Sequence, residues 1–170
     1  PIASVRLANA AANKLDAFVH LGAEYRLGEC VVDEDEIASR NSTFTVTLRN
    51  AVPKGLPDYV TGKGDLLDGL RHGTGSTRDF VLVYTPVQAT VTSAVLNGEP
   101  ALVQSTWVRE RQLLVFDVKL DPGQTATIAV TWEEFPSDDD DRPFPLTPRI
   151  VLPPLANLAE TRVVDGTPCR

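Results

Sequence analysis

Five runs of alternating apolar and polar residues lie between residues 79 and 134, and they constrain the fold more than any other feature. They are Phe80–Tyr84, Ala89–Leu96, Ala101–Trp107, Leu113–Leu120 and Thr125–Trp132. Each run has about 5 to 8 residues, which is the usual length of a β-strand. Their Val, Thr, Leu and aromatic side chains suit a pleated, half-buried surface. Strands at this regular spacing are typical of a β-sandwich or a barrel.

Two of the breaks between these runs carry strong turn signals. Asn97-Gly98 predicts a type I′ hairpin turn, because both residues tolerate positive φ. Asp121-Pro122-Gly123-Gln124 predicts a type II turn, with Pro and Gly in the two central positions. Both signals support antiparallel strands joined by tight turns.

Further strands are predicted on either side of this region. Glu24–Val32 and the cleanly alternating Thr43–Arg49 are expected to form a hairpin, and Thr161–Val164 is expected to be a last edge strand. We therefore predict a mostly β protein: an immunoglobulin-like antiparallel β-sandwich of seven to eight strands with one N-terminal α-helix. The sandwich is assigned to 23–170, with a long Gly/Pro-rich loop at 50–78 and a Pro-rich C-terminal segment at 143–170.

The helix is assigned to residues 1–22, on the basis of apolar residues spaced three and four positions apart. These residues are Ala8, Ala11, Leu15, Phe18 and Val19. Ser4 is a suitable N-cap and Gly22 a suitable terminator for such a helix.

The net charge of −7 argues against nucleic acid and against anionic membrane surfaces as partners. No apolar run reaches the length of a transmembrane helix, so no membrane contact is expected within these residues. The sequence begins at Pro1 and contains no Met, which favours a piece of a longer chain with an N-terminal remainder.

The two cysteines, Cys30 and Cys169, are too few and too far apart for a zinc site. A disulfide between them is the preferred interpretation, and it implies an oxidising compartment outside the cytoplasm. The alternative is two unpaired thiols, one buried and one near the C-terminus.

No catalytic, cofactor-binding or metal-binding residue is predicted, because no motif of known chemistry is complete. The Gly-rich segment 62–75 lacks the Gly-Lys-Ser/Thr of a phosphate loop. The acidic runs Asp33–Glu36 and Asp138–Asp141 lack the alternating oxygen spacing of calcium loops. His20 and His72 accompany no nucleophile motif. Trp107 and Trp132 are expected in the core, with a sugar-binding aromatic platform as the alternative.

Several turn and strand segments resemble the C-terminal region of a bacterial family of proteins of unknown function. They are Asn13–Asp16, Thr45–Asn50, Gly55–Val60, Val83–Pro86, Val95–Pro100 and Leu120–Thr125, and the similarity extends over most of the chain. The resemblance implies a large envelope protein held by an N-terminal transmembrane helix, with this region outside the cell. It supports the disulfide and the extracellular location, and it implies no activity or site residue.

The expected function is a non-enzymatic structural or recognition module of a bacterial cell-envelope protein. A cell-wall polymer or another envelope protein is the expected partner, and no cofactor is expected. The alternative is a hydrolase or transferase, or an accessory domain of one, that acts on cell-wall glycans. Its site would lie in the 50–78 loop, with Asp58, Asp65, Asp68 or His72 as the reactive groups.

Overall fold

The computed structural model describes residues 1–11, 13–32, 34, 38–61, 75–135, 148–154, 157 and 160–166. Two short helical pieces, a 3-10 turn at Asp16–Phe18 and α1 at Asp58–Thr61, lie among the strands of these ranges. The twelve strands are β1 (Ile2–Asn9), β2 (Val19–Arg26), β3 (Cys30–Val32), β4 (Ala38–Asn50), β5 (Thr77–Tyr84), β6 (Thr90–Leu96), β7 (Glu99–Pro100), β8 (Gln104–Val108), β9 (Arg111–Leu120), β10 (Thr125–Glu134), β11 (Arg149–Val151) and β12 (Glu160–Val164).

The strands form two sheets that pack as a sandwich, so the mostly β prediction is confirmed. The smaller sheet has five strands in the order β11-β1-β5-β9-β8. The larger has seven, in the order β12-β2-β4-β10-β6-β7, with β3 paired to β4 beside β2. All pairings are antiparallel except those of two edge strands, β11 with β1 and β12 with β2.

The core lies between the two sheets and is filled by every second residue of the central strands. In β4, Phe44, Val46 and Leu48 are fully buried, as the alternating sequence predicted. The larger sheet also contributes Trp132 of β10. Residues such as Val81 of the smaller sheet belong to the same cluster. Burial of this apolar area, at about 25 cal/mol per Å², is the main stabilising contribution.

A buried carboxylate closes one end of this core. Glu134 accepts hydrogen bonds from the Tyr25 hydroxyl and, at 2.7 Å, from Trp132 Nε1. The Tyr25 and Trp132 rings meet edge to face, with centroids 5.5 Å apart. Across the β4–β10 ladder, Arg40 is the register partner of Glu134. Two donors and a neighbouring guanidinium therefore offset much of the cost of burying this charge.

Both predicted turns are present. Asn97 and Gly98 have φ of 53° and 87° and join β6 to β7. Gly123 has φ of 86°, and the Gln124 amide donates to the Asp121 carbonyl at 2.9 Å. A third tight turn, Arg109-Glu110 between β8 and β9, has positive φ at both residues although neither is Gly or Asn. The sequence carries no signal for that turn, because its residue types do not favour the conformation.

The predicted N-terminal helix is wrong, and so is the division of the chain at residue 22. Residues 2–9 form β1 in the smaller sheet, while Val19–Arg26 form β2 in the larger one, so the proposed boundary falls inside a strand. β1 forms an antiparallel hydrogen-bond ladder with β5, about seventy residues further along the chain. Such tertiary pairing overrides local helix propensity, which is a weak determinant in short segments.

The predicted number of strands is also too low, partly because one predicted strand is two. Glu24–Val32 is interrupted after Arg26 and resumes as β3 at Cys30. At the break, a Cβ on Gly28 would lie 1.8 Å from the Asn41 carbonyl oxygen. Only glycine allows this close approach to β4. The expected pairing with Thr43–Arg49 is nevertheless confirmed through β2, and the expected final edge strand is β12.

The buried Tyr25–Glu134 pair should make the free energy of unfolding depend on pH in the alkaline range. Burial, and then the charge of Glu134, raise the pKa of Tyr25 far above its ordinary value. The folded chain therefore keeps a proton that the unfolded chain releases above about pH 10, and the free energy of unfolding falls as pH rises through that point. We expect Tyr25→Phe to cost about 1–3 kcal/mol at neutral pH but to flatten this alkaline decline.

The measurement is urea unfolding at a series of pH values, followed by tryptophan fluorescence. Tyr59→Phe is the control, because the Tyr59 side chain is exposed (74%) and its loss should leave the decline unchanged. An alkaline decline in Tyr25→Phe as steep as that of the parent protein would contradict the assignment.

Candidate functional site

A groove of about 570 Å³ runs along the outer face of the larger sheet, where β12, β2 and β4 lie side by side. Its position follows from the alternation in β2. Leu21, Ala23 and Tyr25 point into the core, so His20, Gly22 and Glu24 must point outwards. The groove is therefore lined mainly by polar side chains and by backbone.

Strand register arranges these side chains in rows across the sheet. In the first row His20 of β2 lies opposite Arg49 of β4. In the middle row Gly22 lies between Glu160 of β12 and Thr47 of β4, and in the third Glu24 lies between Arg162 and Thr45. Neighbouring side chains in a row are about 5 Å apart at Cβ, so adjacent polar groups can contact one ligand.

Gly22 forms the centre of the groove floor. Its φ lies outside the left-handed region, and a Cβ added there would meet only Glu160 O and Thr47 Cβ, both at 3.9 Å. Neither backbone conformation nor packing therefore requires glycine at this position. Glycine inside a strand is destabilising relative to alanine by about 0.5–1 kcal/mol and often marks a place where a ligand approaches the backbone.

Charged groups occupy both ends of the groove. At one end the Glu24 carboxylate forms ion pairs with the guanidinium groups of Arg26, at 2.8 Å, and Arg162, at 3.8 Å. At the other end, His20 and its register partner Arg49 both line the groove. The exposed ion pairs of Glu24 contribute little to stability, on the order of 0–1 kcal/mol each. The guanidinium, carboxylate, imidazole and threonine hydroxyl groups of the groove provide hydrogen-bond donors and acceptors for a polar ligand.

Most residues of the alternative enzymatic site lie outside the described ranges. Asp58 is exposed in the first turn of α1, whereas Asp65, Asp68 and His72 belong to the undescribed residues 62–74. The acidic run Asp138–Asp141 is outside them as well. Within the described ranges, no group of three or more His, Cys, Asp and Glu side chains could hold a metal ion.

The two tryptophans have opposite environments. Trp132 is fully buried, as expected. Trp107 is 60% exposed, so its predicted place in the core is wrong. It lies on β8, which ends the smaller sheet and has every side chain exposed.

Of the predicted disulfide pair, Cys30 lies in β3 and Cys169 lies outside the described ranges. The surrounding backbone brings the C-terminal segment close to Cys30. The Leu27 amide donates to the Val164 carbonyl at 3.0 Å, and a Cβ on Gly166 would lie 2.4 Å from the Gly28 carbonyl oxygen.

The groove was not predicted from the sequence, although the sequence contains one signal for it. An isolated glycine within a strand pattern indicates close backbone approach, but Gly22 was interpreted as the end of a helix. The rows of side chains could not be found from the sequence, because they depend on register between strands far apart in the chain.

Comparison with known proteins gives structural likeness only: no family model and no curated protein sequence matches. A candidate nutrient-binding protein from Legionella pneumophila shares 7% identity at a TM-score of 0.48, over 78% of this chain and 43% of that one. An M1 zinc metallopeptidase from Deinococcus radiodurans shares 13% at a TM-score of 0.31, over 69% of this chain and 20% of the peptidase. A two-domain M1 zinc metallopeptidase bound to L-tryptophan shares 15% sequence identity at a TM-score of 0.30, over 75% of this chain and 22% of that one.

This chain thus spans less than half the length of each of these proteins. Neither helix in the described ranges has the length and apolar character needed to cross a membrane.

A substitution at Gly22 should separate a structural from a functional reason for the glycine. We expect Gly22→Ala to raise the free energy of unfolding by about 0.5–1 kcal/mol, because the added methyl group fits and strand entropy is gained. Urea denaturation is the measurement. In the matched variant Gly28→Ala the methyl group meets the Asn41 carbonyl, and we expect a loss of at least about 2 kcal/mol. Destabilisation by Gly22→Ala would mean that the fold itself requires this glycine.

Proposed function

We propose that this chain is a non-enzymatic recognition module of a bacterial cell-envelope protein, located outside the cell, and that the groove over Gly22 is its binding surface. The observation that carries the proposal is the glycine itself. It occupies a strand position where alanine would fit, and its missing side chain leaves the groove open. A role in binding explains why a less stable residue is present there.

The chemistry of the groove favours a polar ligand with an extended shape. Charged side chains of both signs and threonine hydroxyls line it, with Glu160 in the middle row. A groove lined in this way suits a chain with repeated hydroxyl, amide or carboxylate groups. A cell-wall polymer or an extended segment of another envelope protein has this character, and either would lie across the three rows.

An immunoglobulin-like fold is part of the same proposal. The chain crosses between the sheets from β4 to β5, from β5 to β6 and again from β9 to β10, as in sandwiches with Greek-key connections. Such sandwiches commonly serve as binding modules, and fold alone does not specify what they bind.

The extracellular location is supported by the path of the C-terminal segment. Gly166 packs on Gly28, two residues before Cys30, and Cys169 is three residues beyond Gly166. At about 3.3 Å per residue, this distance is short enough for a disulfide. We propose that Cys30 and Cys169 are bonded, as is usual in oxidising compartments.

Binding is tested directly with purified peptidoglycan fragments and with the soluble domains of envelope proteins. We expect the parent chain to bind one of these classes and Gly22→Val to weaken that binding by about tenfold or more, because the branched side chain fills the groove. Valine suits a strand, so the fold is retained. Fluorescence titration provides the affinities.

Ser105→Val is the matched control, since Ser105 is an exposed small residue on β8 of the other sheet, away from the groove. This variant should bind as the parent does. Absence of binding to either class, or equal binding by Gly22→Val, would contradict the proposed role of the groove.

The disulfide has its own test in intact mass measurement without reductant. We expect the chain to be lighter by two hydrogen atoms than after reduction, and reduction to lower the free energy of unfolding by about 2–4 kcal/mol. Cys169→Ser should abolish both differences. Equal masses before and after reduction would show two thiols and remove this support for an oxidising compartment.

A further inference from the structure

β8 ends the smaller sheet, and within the described ranges no strand pairs with its outer edge. All five of its side chains are exposed, including the large apolar groups of Trp107 and Val108. Leu102, which precedes the strand, is exposed as well. An unpaired edge offers backbone donors and acceptors to another extended chain, and apolar side chains exposed beside it favour an interface.

The other edge strands of the described ranges are protected against such pairing, and β8 is not. β3 and β11 have only three residues, and β7 has two, one of them Pro100. β12 is as long as β8 but carries exposed charges at Glu160 and Arg162. Short length, proline and charge are the features by which proteins prevent pairing at a sheet edge. β8 has five residues, no charge and no proline, and it pairs with β9 without a bulge.

The turn between β8 and β9 determines which backbone groups of β8 face outwards. Arg109 and Glu110 have φ of 46° and 62°, as in a two-residue type I′ hairpin. The residues that flank such a turn, here Val108 and Arg111, form a hydrogen-bonded pair. In an antiparallel ladder, hydrogen-bonded pairs alternate with pairs that exchange no bonds. The position of the turn therefore fixes this alternation along the whole of β8.

Ser105 and Trp107 are the residues whose backbone groups point away from the sheet. Counting back from Val108, Thr106 and Gln104 form the hydrogen-bonded pairs with β9. The ladder therefore leaves the N–H and C=O groups of Ser105 and Trp107 unused. Their spacing of two residues is the one that a further antiparallel strand requires.

We propose that this edge pairs antiparallel with β8 of a second copy of the chain, about a two-fold axis at Thr106. Ser105 of each copy then forms a hydrogen-bonded pair with the partner's Trp107, so every outward donor and acceptor of these residues is used. The two smaller sheets become one continuous sheet. The contact is closed, as in the two-fold dimers that are common among soluble proteins.

The side chains of β8 are complementary to one another in this register, which is why a second copy is the partner. On the axis Thr106 meets the partner's Thr106, and threonine pairs are favourable cross-strand neighbours. The small Ser105 lies opposite the large side chain of the partner's Trp107. The two Trp107 side chains are diagonal neighbours on one face, about 7–8 Å apart at Cα, so their rings can contact each other.

Charge does not oppose the contact, although the chain as a whole carries a net charge of −7. β8 itself is uncharged, and the adjoining turn contributes Arg109 and Glu110, whose charges cancel. At physiological ionic strength the Debye length is about 8 Å, so repulsion between more distant charges is largely screened. The dimer is independent of the proposed groove, which lies on the other sheet.

The test is sedimentation equilibrium of the parent chain at physiological ionic strength. An edge of five residues buries less than the about 1,200 Å² of a standard interface, so we expect a weak dimer with a Kd on the order of 10⁻⁵–10⁻⁴ M. The average mass should rise towards that of the dimer as the concentration increases through this range. Tryptophan emission should shift to shorter wavelength in parallel, because Trp107 loses contact with water.

Two substitutions on β8 should each weaken the dimer by about tenfold or more while the chain stays folded, which thermal unfolding verifies. Thr106→Lys places two like charges opposite each other on the axis. Ser105→Pro removes a donor that points away from β9, a change that an edge strand tolerates. Thr90→Lys is the matched control, because it adds the same charge at an exposed threonine on β6 of the other sheet. It should dimerise as the parent does.

A parent chain that stays monomeric up to about 500 µM would overturn the proposal. A dimer that survives both β8 substitutions would also do so, because it would use another surface. Equal weakening by Thr90→Lys would mean that net charge alone causes the effect. A monomeric chain whose Trp107 emission shifts only when soluble domains of envelope proteins are added would assign the edge to a different partner, and so would overturn the proposal as well.

Discussion

The two-residue period of the central strands, fixed by burial of one face, is the constraint on which the rest of the structure depends. Phe44, Val46 and Leu48 of β4 are fully buried against the opposite sheet, and the ten-residue ladder between β4 and β10 sets the register around them. A shift of one residue would expose this whole set. The same ladder system determines which residues face outwards on β2, so the groove over Gly22 is a consequence of how the core is buried.

The sandwich buries two acidic side chains near opposite ends of β1, and the two differ in their hydrogen-bond partners. Glu134 Oε1 accepts hydrogen bonds from Tyr25 and Trp132, and Arg40 is the register partner of Glu134, so the protein itself offsets much of the cost of burying this charge. Asp79 lies near the other end, beside Asn9, with no donor among the described residues and with a second carboxylate close by. The first arrangement is what a stable fold requires. In the second, burial and then the charge of Asp16 raise the pKa of Asp79 to about 6, so this carboxyl favours its neutral form more than an exposed aspartate does.

The sequence predicted strands well wherever alternation was the only periodic signal. Leu113–Leu120 and Thr125–Trp132 lie within β9 and β10, and both strong turn motifs have the expected conformations. The prediction failed at residues 2–21, where the alanines fit a helical spacing as well as an alternating one. There the choice between helix and strand depends on pairing with the distant strand β5. The prediction also placed Trp107 in the core, because sequence does not tell which strand ends a sheet.

The candidate sites could not be predicted for a related reason, and they are best recognised by comparison within the molecule. Gly28 and Gly22 look alike in the sequence, yet the first is required by contact with Asn41 and the second by no contact at all. Likewise Glu134 and Asp79 are both acidic residues at buried strand positions, and within the described part of the chain only Glu134 accepts side-chain hydrogen bonds. Residues that break a local rule without a structural reason are those that function can explain. By that criterion Gly22 supports the proposal that the groove on the larger sheet binds a ligand.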